Sequence, residues 1–449
     1  MRRLCLALLF VQASCAHAGP HDRAIRLPTA RNDCGAASVR ASSGPCAKHS
    51  PLVYALAFAQ NQHGQPETTC DRAICRQLLA AIDHATRSVD FAVYGVRSQP
   101  AIIAALVAAQ ARGVRVRGVV DTENRDCTLF AYPDTSLLMN RLAAGSVVCD
   151  VGAGYGYIMH NKFFVFDVAQ VWTGSTNLSD TESGGEYNSD VAMLITSPAL
   201  AGIYTAEFEE MFAGSFHRRK RDNTEHVVDE FSDGTIIESY FSPSDHAAER
   251  AVIPLIERSA ATLDVAMFYI TDAAIAAALL AAQARGVRVR VVLDAGGAAN
   301  KYSKHAQLCA AGIQVKIENW GGKSHSKWAV ADAGVPESPA VLFGSMNWTA
   351  AGDSQNDENT LYVRSARVAV AFQREFERQW ADLIGVPACV PVRAEATSHS
   401  RKRTRDEHSA TVDERRSLTC HGRCETGAER DRSEFGNRSE LDSRRPLLE

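Results

Sequence analysis

Apolar side chains first take on a regular period at Ile74. Leu78, Leu79 and Ile82 recur at helical spacing, and the apolar run Val89-Asp-Phe-Ala-Val-Tyr94 predicts a strand after them. Pro100 opens a second helical stretch through Ile102, Ile103, Leu106 and Val107, and Gly113 stands where a helix-ending left-handed residue is expected. Val114-Arg-Val-Arg-Gly-Val-Val120 follows as a strand that ends at Asp121. Strand, helix and strand in that order predict a β-α-β unit, and the alternation predicts a largely parallel sheet covered by helices.

The same succession returns in the second half of the 449-residue chain. Leu263-Asp-Val-Ala-Met-Phe268 matches the first strand, and Thr271 and Asp272 are placed to cap a helix through Ile275, Leu279 and Leu280. Ala281 to Arg290 then repeats Ala108 to Arg117 letter for letter, 173 residues on, which marks an internal duplication. Each copy also closes alike. Asn188-Ser-Asp190 and Asn356-Asp-Glu358 both precede a strand, and the strands lead into helical stretches over Ala199 to Phe212 and Ala366 to Leu383. The expected fold class is therefore α/β, with two duplicated α/β/α halves over residues 51–215 and 235–390, packed about a pseudo-twofold axis. A polar linker over 216–234 joins them, and its basic run Phe216-His-Arg-Arg-Lys-Arg221 is expected to be solvated.

Outside the halves the pattern lapses. Arg2-Arg3, the apolar Leu4 to Val11 and Ala16-His17-Ala18 have the order of a secretory signal over residues 1–18, so the mature chain is expected to be secreted or periplasmic. The apolar run is too short to span a bilayer as a helix. Residues 19–50 form an irregular leader. From Arg393 onward, 13 Lys/Arg and 12 Asp/Glu in 57 residues, with few large apolar side chains, predict a disordered charged tail over 391–449.

Cysteine usage fits an oxidising compartment. Of twelve cysteines, loss of Cys5 and Cys15 with the signal leaves ten, scattered as disulfide partners are, with Cys34–Cys46 and Cys127–Cys149 as candidate pairs. Cys420-His-Gly-Arg-Cys424 has the wrong order for haem attachment and lacks the second ligand pair of a zinc site. The formal charge of −4 becomes −6 once Arg2 and Arg3 are removed, which gives no broad basic footprint for nucleic acid but leaves room for a local groove.

The candidate chemistry lies in His160-Asn-Lys162-Phe-Phe-Val-Phe-Asp167, followed by Gly174-Ser175-Thr-Asn177. It recurs as His325-Ser-Lys327-Trp-Ala-Val-Ala-Asp332, followed by Gly344-Ser345-Met-Asn347. Alternate side chains of a strand share a face, so each His points the same way as its Lys. Bringing the halves together about a pseudo-twofold axis would gather two His, two Lys and two Asn in one cleft. That set suits a phosphodiester: the lysines neutralise the non-bridging oxygens and the amides donate hydrogen bonds. One imidazole attacks phosphorus in line while the other, protonated, gives its proton to the leaving oxygen.

These residues resemble the phospholipase D superfamily, whose signature is His-x-Lys-x4-Asp-x6-Gly-Ser-x-Asn. The first copy fits throughout. The second has eleven residues rather than six between Asp332 and Gly344, an insertion containing Pro336 and Pro339. Over about residues 76 to 385 the resemblance implies paired α/β halves, a phosphohistidine intermediate and no metal or cofactor. It implies His160 as nucleophile, His325 as general acid, and a carboxylate from each half holding the tautomer of an active-site histidine. By strand alignment those carboxylates are Asp190 and Glu358, with Glu186 as the alternative to Asp190. Ser175, Ser345 and Lys323 are expected on the substrate, and Asp167 and Asp332 as structural residues tying strand to turn. Because both half-sites lie in one chain, a monomer is expected to function.

Three functions fit this pattern. One is a secreted phospholipase D cleaving the head group from a glycerophospholipid, with transient contact to a membrane surface and transfer to another alcohol as a variant reaction. The second is a secreted metal-independent endonuclease, against which the acidic balance and 7% aromatic content count. The third is an inactive binding module. Tyr155, Tyr157 and Ile158 before His160, with Trp320 and Trp328 around the second motif, suit an apolar lip for lipid or, equally, ordinary core packing. Lys323 has Ile158 as its counterpart, an asymmetry that would favour one end of the substrate.

Overall fold

Two mixed sheets with the same strand order form the framework. In this computed structural model, which describes residues 50–59, 65–124, 126–150, 156–229, 231–384 and 389, the first sheet runs Val53–Phe58, Val191–Thr196, Gln170–Gly174, Lys162–Phe166, Ser88–Val93, Arg115–Val120 and Val147–Cys149. The second runs Val227–Val228, Ile236–Ser242, Glu358–Arg364, Ala340–Gly344, Lys327–Ala331, Thr262–Met267, Arg288–Leu293 and Gln314–Ile317. Apart from the short added edge strand Val227–Val228, the two orders correspond strand for strand, so the duplication extends to topology. The secretory signal, the leader, the tail, Tyr155 and Cys34, Cys46, Cys420 and Cys424 lie outside the described residues.

The sheets are not largely parallel, as the alternation of elements had suggested. Only Ser88–Val93 with Arg115–Val120 and Arg115–Val120 with Val147–Cys149 pair in parallel in the first sheet; the other neighbours are antiparallel. The reason is the hairpin between Lys162–Phe166 and Gln170–Gly174, which reverses direction with no crossover helix. The edge strand Val53–Phe58 pairs with Val191–Thr196. Its run of apolar residues carries no local period to reveal it, because its partner lies far along the chain.

Helices Ala73–His84 and Pro100–Ala111 cover one face of the first sheet, and Ile253–Arg258 and Ala273–Ala284 one face of the second. Gly113 and Gly286 follow two of these helices at φ +89° and +93°, the left-handed conformation that a Cβ disfavours. Asp272 caps its helix by accepting from Ala274 N and Ile275 N. On the inner faces, Phe163, Val171 and Met193 of one sheet and Trp328, Phe343 and Leu361 of the other share a single core with Tyr204, Phe208 and Phe372 from helices Pro198–Phe212 and Ala366–Asp382. No helix among the described residues is long and apolar enough to cross a membrane. Disulfides join Cys70 to Cys75, Cys127 to Cys149 and Cys309 to Cys389.

Asp167 and Asp332 each end the motif strand at positive φ and bind backbone across the sheet. Asp167 accepts from the amides of Thr86, Arg87 and Ser88, and Asp332 from those of Ala260, Ala261 and Thr262. Each carboxylate thus pins the loop that enters the neighbouring antiparallel strand, and so sets the register of the strand that carries the site.

The basic connector is not wholly solvated. Arg218, Arg219 and Arg221 are exposed, but His217 and Lys220 are buried. Lys220 Nζ bonds Glu207 and lies 3.1 Å from Asp357. His217 bonds Asp150 through Nε2 and sits 3.1 Å from Asp357 through Nδ1. Asp150 and Glu207 belong to the first half and Asp357 to the second, so two linker side chains, the Lys220 ammonium and the His217 imidazole, occupy a carboxylate cluster that spans the halves. The Lys220 charge is what the buried Glu207 and Asp357 require.

Candidate active site

Two short backbone bridges bring the half-sites together. Met159 pairs with Asp357, and Ser324 with Ser189. These are symmetry-related contacts: in each, the residue before a motif His meets the residue before the acid of the opposite half. His160 N donates to Asp357 O at 2.9 Å, and Ser189 N donates to Lys323 O at 2.9 Å. The loops before the histidines are further held by Asp121, which accepts from Met159 N at 2.8 Å, and by Asp294, which accepts from Ser324 N at 2.9 Å. Both aspartates end a parallel strand. Their role was not visible in sequence, although both stand at matching positions after a strand.

Because of those bridges each imidazole meets the carboxylate of the other half. His160 Nδ1 lies 2.8 Å from Glu358 Oε2, and His325 Nδ1 lies 3.0 Å from Asp190 Oδ1. A carboxylate on Nδ1 holds the proton there and leaves Nε2 as the ring nitrogen for chemistry. The acids are themselves fixed by serines: Ser175 Oγ donates to Asp190 at 2.7 Å and Ser345 Oγ to Glu358 at 2.6 Å. Ser175 and Ser345, expected on the substrate, are thus placed against the carboxylates that hold the imidazoles. Both are fully buried and their hydroxyls serve the carboxylates. The preceding glycines are needed because a Cβ at Gly174 or Gly344 would collide with the carbonyl oxygen of Val191 or Asn359.

Lys162 and Lys327 are buried beside their histidines, donating to His160 O at 3.0 Å and His325 O at 2.8 Å. Asn177 and Asn347 are also buried, and among the described residues the Oδ1 of each has no hydrogen-bond partner. Glu186 accepts from Ile74 N at 3.4 Å, and Asp190 rather than Glu186 reaches His325.

The two imidazoles differ electrostatically. Burial pulls His160 down to about 4, against the opposing pull of Glu358. Burial also acts on His325, but Glu182 and Asp190 outweigh it and raise this imidazole above its ordinary value. Glu182 is the residue that the sequence did not reveal. It sits in a π-type turn over Asp180–Gly184, bonds Asn177 through both its backbone and amide nitrogens, and lies 3.4 Å from His325 Nδ1. Burial lowers the Lys327 ammonium to about 7.

Residues 78–212 and 252–380 both match the family model described as cardiolipin synthase, PLD-like domain. The chain belongs to the phospholipase D superfamily. It is 34% identical over 140 residues to the mitochondrial cardiolipin hydrolase of Xenopus tropicalis, covering 31% of this chain and 64% of that protein. It is 34% identical over 117 residues to a phospholipase D of Rickettsia conorii, covering 26% of this chain and 56% of that one. The chain thus spans less than two thirds of the length of these relatives. The phosphatidylserine synthase of Haemophilus influenzae superposes with a TM-score of 0.53 at 12% identity, over 77% of this chain and 90% of that chain, a likeness of fold alone.

In this phospholipase D superfamily chain the proposed apolar lip is mostly core. Trp328 packs edge-on against Phe372 at 5.4 Å, and Trp320 packs against the central core. Tyr157 leans on His217 at 5.7 Å. Ile158 does form an apolar cluster with Tyr94 and Tyr132, beside His160, whose ring is 5.8 Å from that of Tyr94. Lys323 lines a cleft with His325.

Proposed function

We propose that this chain is a phosphodiesterase that hydrolyses the head group of a glycerophospholipid through a phosphohistidine on His160, and that it acts outside the cytoplasm. The observation that carries the reaction is the unequal pair of imidazoles, each with its Nδ1 on a carboxylate, one driven neutral and the other held protonated. His160 Nε2 donates its electron pair to phosphorus as the bond to the head-group oxygen breaks, and His325 gives that oxygen its proton. A water then returns a proton to His325 and supplies its oxygen to phosphorus, the P–N bond breaks, and phosphatidic acid leaves. Lys162 and Lys327 balance the charge on the non-bridging oxygens throughout. The names of the relatives, cardiolipin hydrolase and phospholipase D, support a lipid substrate.

The test is to purify the chain and follow head-group release from phospholipid vesicles and cleavage of single- and double-stranded nucleic acid in parallel, with EDTA present. Lipid turnover with nucleic acid intact is expected. Nucleic-acid cleavage with lipid intact would make it the endonuclease, and loss of all activity in EDTA would overturn the two-histidine mechanism. Recovery of the activity from the medium or periplasm of an expressing cell checks the location.

A further inference from the structure

In an in-line displacement the breaking bond lies opposite the attacking nitrogen. If His160 is the nucleophile, the departing alcohol therefore lies on the side of His325, its proton donor. A cleft of about 380 Å³ opens there, with His325, Asn177 and Glu182 in its lining and Arg97, Tyr132 and Lys323 around them. Its chemistry differs from that of the His160 side, where Ile158 stands at the position equivalent to Lys323 and packs with Tyr94 and with Tyr132, the ring that both sides share.

Two features disfavour a quaternary ammonium in this cleft. Such a group needs an open aromatic face or a free carboxylate. The Arg97 guanidinium already lies 4.8 Å from the centre of the Tyr132 ring, held by Asp180 at 2.9 Å and Thr181 Oγ1 at 2.8 Å. Glu182 is turned inward on Asn177 and His325. What the cleft offers instead is a cation. The backbone of Lys323 is fixed by its amide, which donates to Asn188 Oδ1 at 2.9 Å, and by its carbonyl, which accepts from Ser189. Its ammonium is 5.3 Å from the Phe268 ring centre, and among the described residues it is in ion-pair contact with no carboxylate.

Resting on the function proposed above, we infer that this cleft is the head-group subsite, that it takes a leaving group carrying a phosphate, and that Lys323 selects for it.

The test uses the full chain and short-chain phosphatidyl esters of glycerol 3-phosphate, glycerol and choline, so that bilayer charge does not contribute. Wild type is expected to prefer the glycerol 3-phosphate ester over the glycerol ester by about fivefold in kcat/KM, the scale of one well-placed charge pair. Lys323→Ala should cut that ratio about fivefold, and Lys323→Glu should invert it. Preference for choline, or an equal loss on all three esters in Lys323→Ala, would overturn the subsite while leaving the hydrolase reading intact. No turnover of any ester by wild type would sink the parent reading and this inference with it.

Discussion

Glu182 lies 3.4 Å from His325 Nδ1, and the position five residues after the motif asparagine in the other half, where Glu182 has its equivalent, is Gly352. The duplicated site is therefore asymmetric: His325 faces two carboxylates and His160 faces one. That difference supplies a physical reason for the two histidines to take different roles, where the repeated sequence motifs alone leave them interchangeable.

The pH dependence follows from it. Activity requires His160 neutral and His325 protonated, so kcat/KM should rise as pH climbs through about 4 and fall as pH passes above the ordinary imidazole value. Loss of charge on Lys327, lowered by burial to about 7, acts in the same direction on the alkaline side. Glu182→Gln removes a charge that raises both groups, so the alkaline limb should move to lower pH. The acid limb should stay in place. A pH–rate profile of wild type and variant checks this, and an unmoved alkaline limb would show that Glu182 does not govern the proton on His325.

The two histidines should separate chemically. His160→Ala is expected to abolish turnover and any phosphoenzyme recovered after rapid denaturation at alkaline pH, where phosphohistidine survives. His325→Ala should slow the release of an alkyl alcohol by roughly 10²–10⁴-fold, the ordinary contribution of a positioned general acid. It should slow a nitrophenyl ester far less, because that leaving group needs no proton. A phosphoenzyme persisting in His160→Ala would reassign the nucleophile to His325.

Lys220 is expected to matter for stability. Lys220→Met leaves Glu207 and Asp357 buried without their cation and should cost on the order of 3–5 kcal/mol in urea unfolding. Adding Glu207→Gln should recover part of that loss. If Lys220→Met unfolds at the wild-type urea concentration, the network carries no such role.

Asp332→Ala removes the acceptor for three backbone amides and should cost on the order of 3 kcal/mol, read by the same unfolding measurement. Activity per folded molecule should be largely retained, because the carboxylate binds the loop entering Thr262–Met267 and not the cleft. A loss confined to kcat with unchanged stability would place Asp332 in the chemistry instead.

Much of this was legible in the chain. The duplication could be read because ten consecutive residues repeat unchanged, and the helices and strands because apolar side chains recur with the period of each element. The spacing of His160 to Asn177 and of His325 to Asn347 was enough to draw both half-sites, since neighbours along a strand have a known geometry. What sequence left open depends on contacts between distant segments. Which acid meets which histidine was decided by the bridges of Met159 to Asp357 and Ser324 to Ser189. The burial of His217 and Lys220 was decided by carboxylates that converge from both halves. The second carboxylate on His325 required the turn over Asp180–Gly184 to bend Glu182 back onto Asn177. A repeated sequence could predict two equivalent half-sites; only packing them together supplied the charges that made them unequal, because a buried charge acts strongly on every ionisable group within a few ångströms, wherever in the chain that group lies.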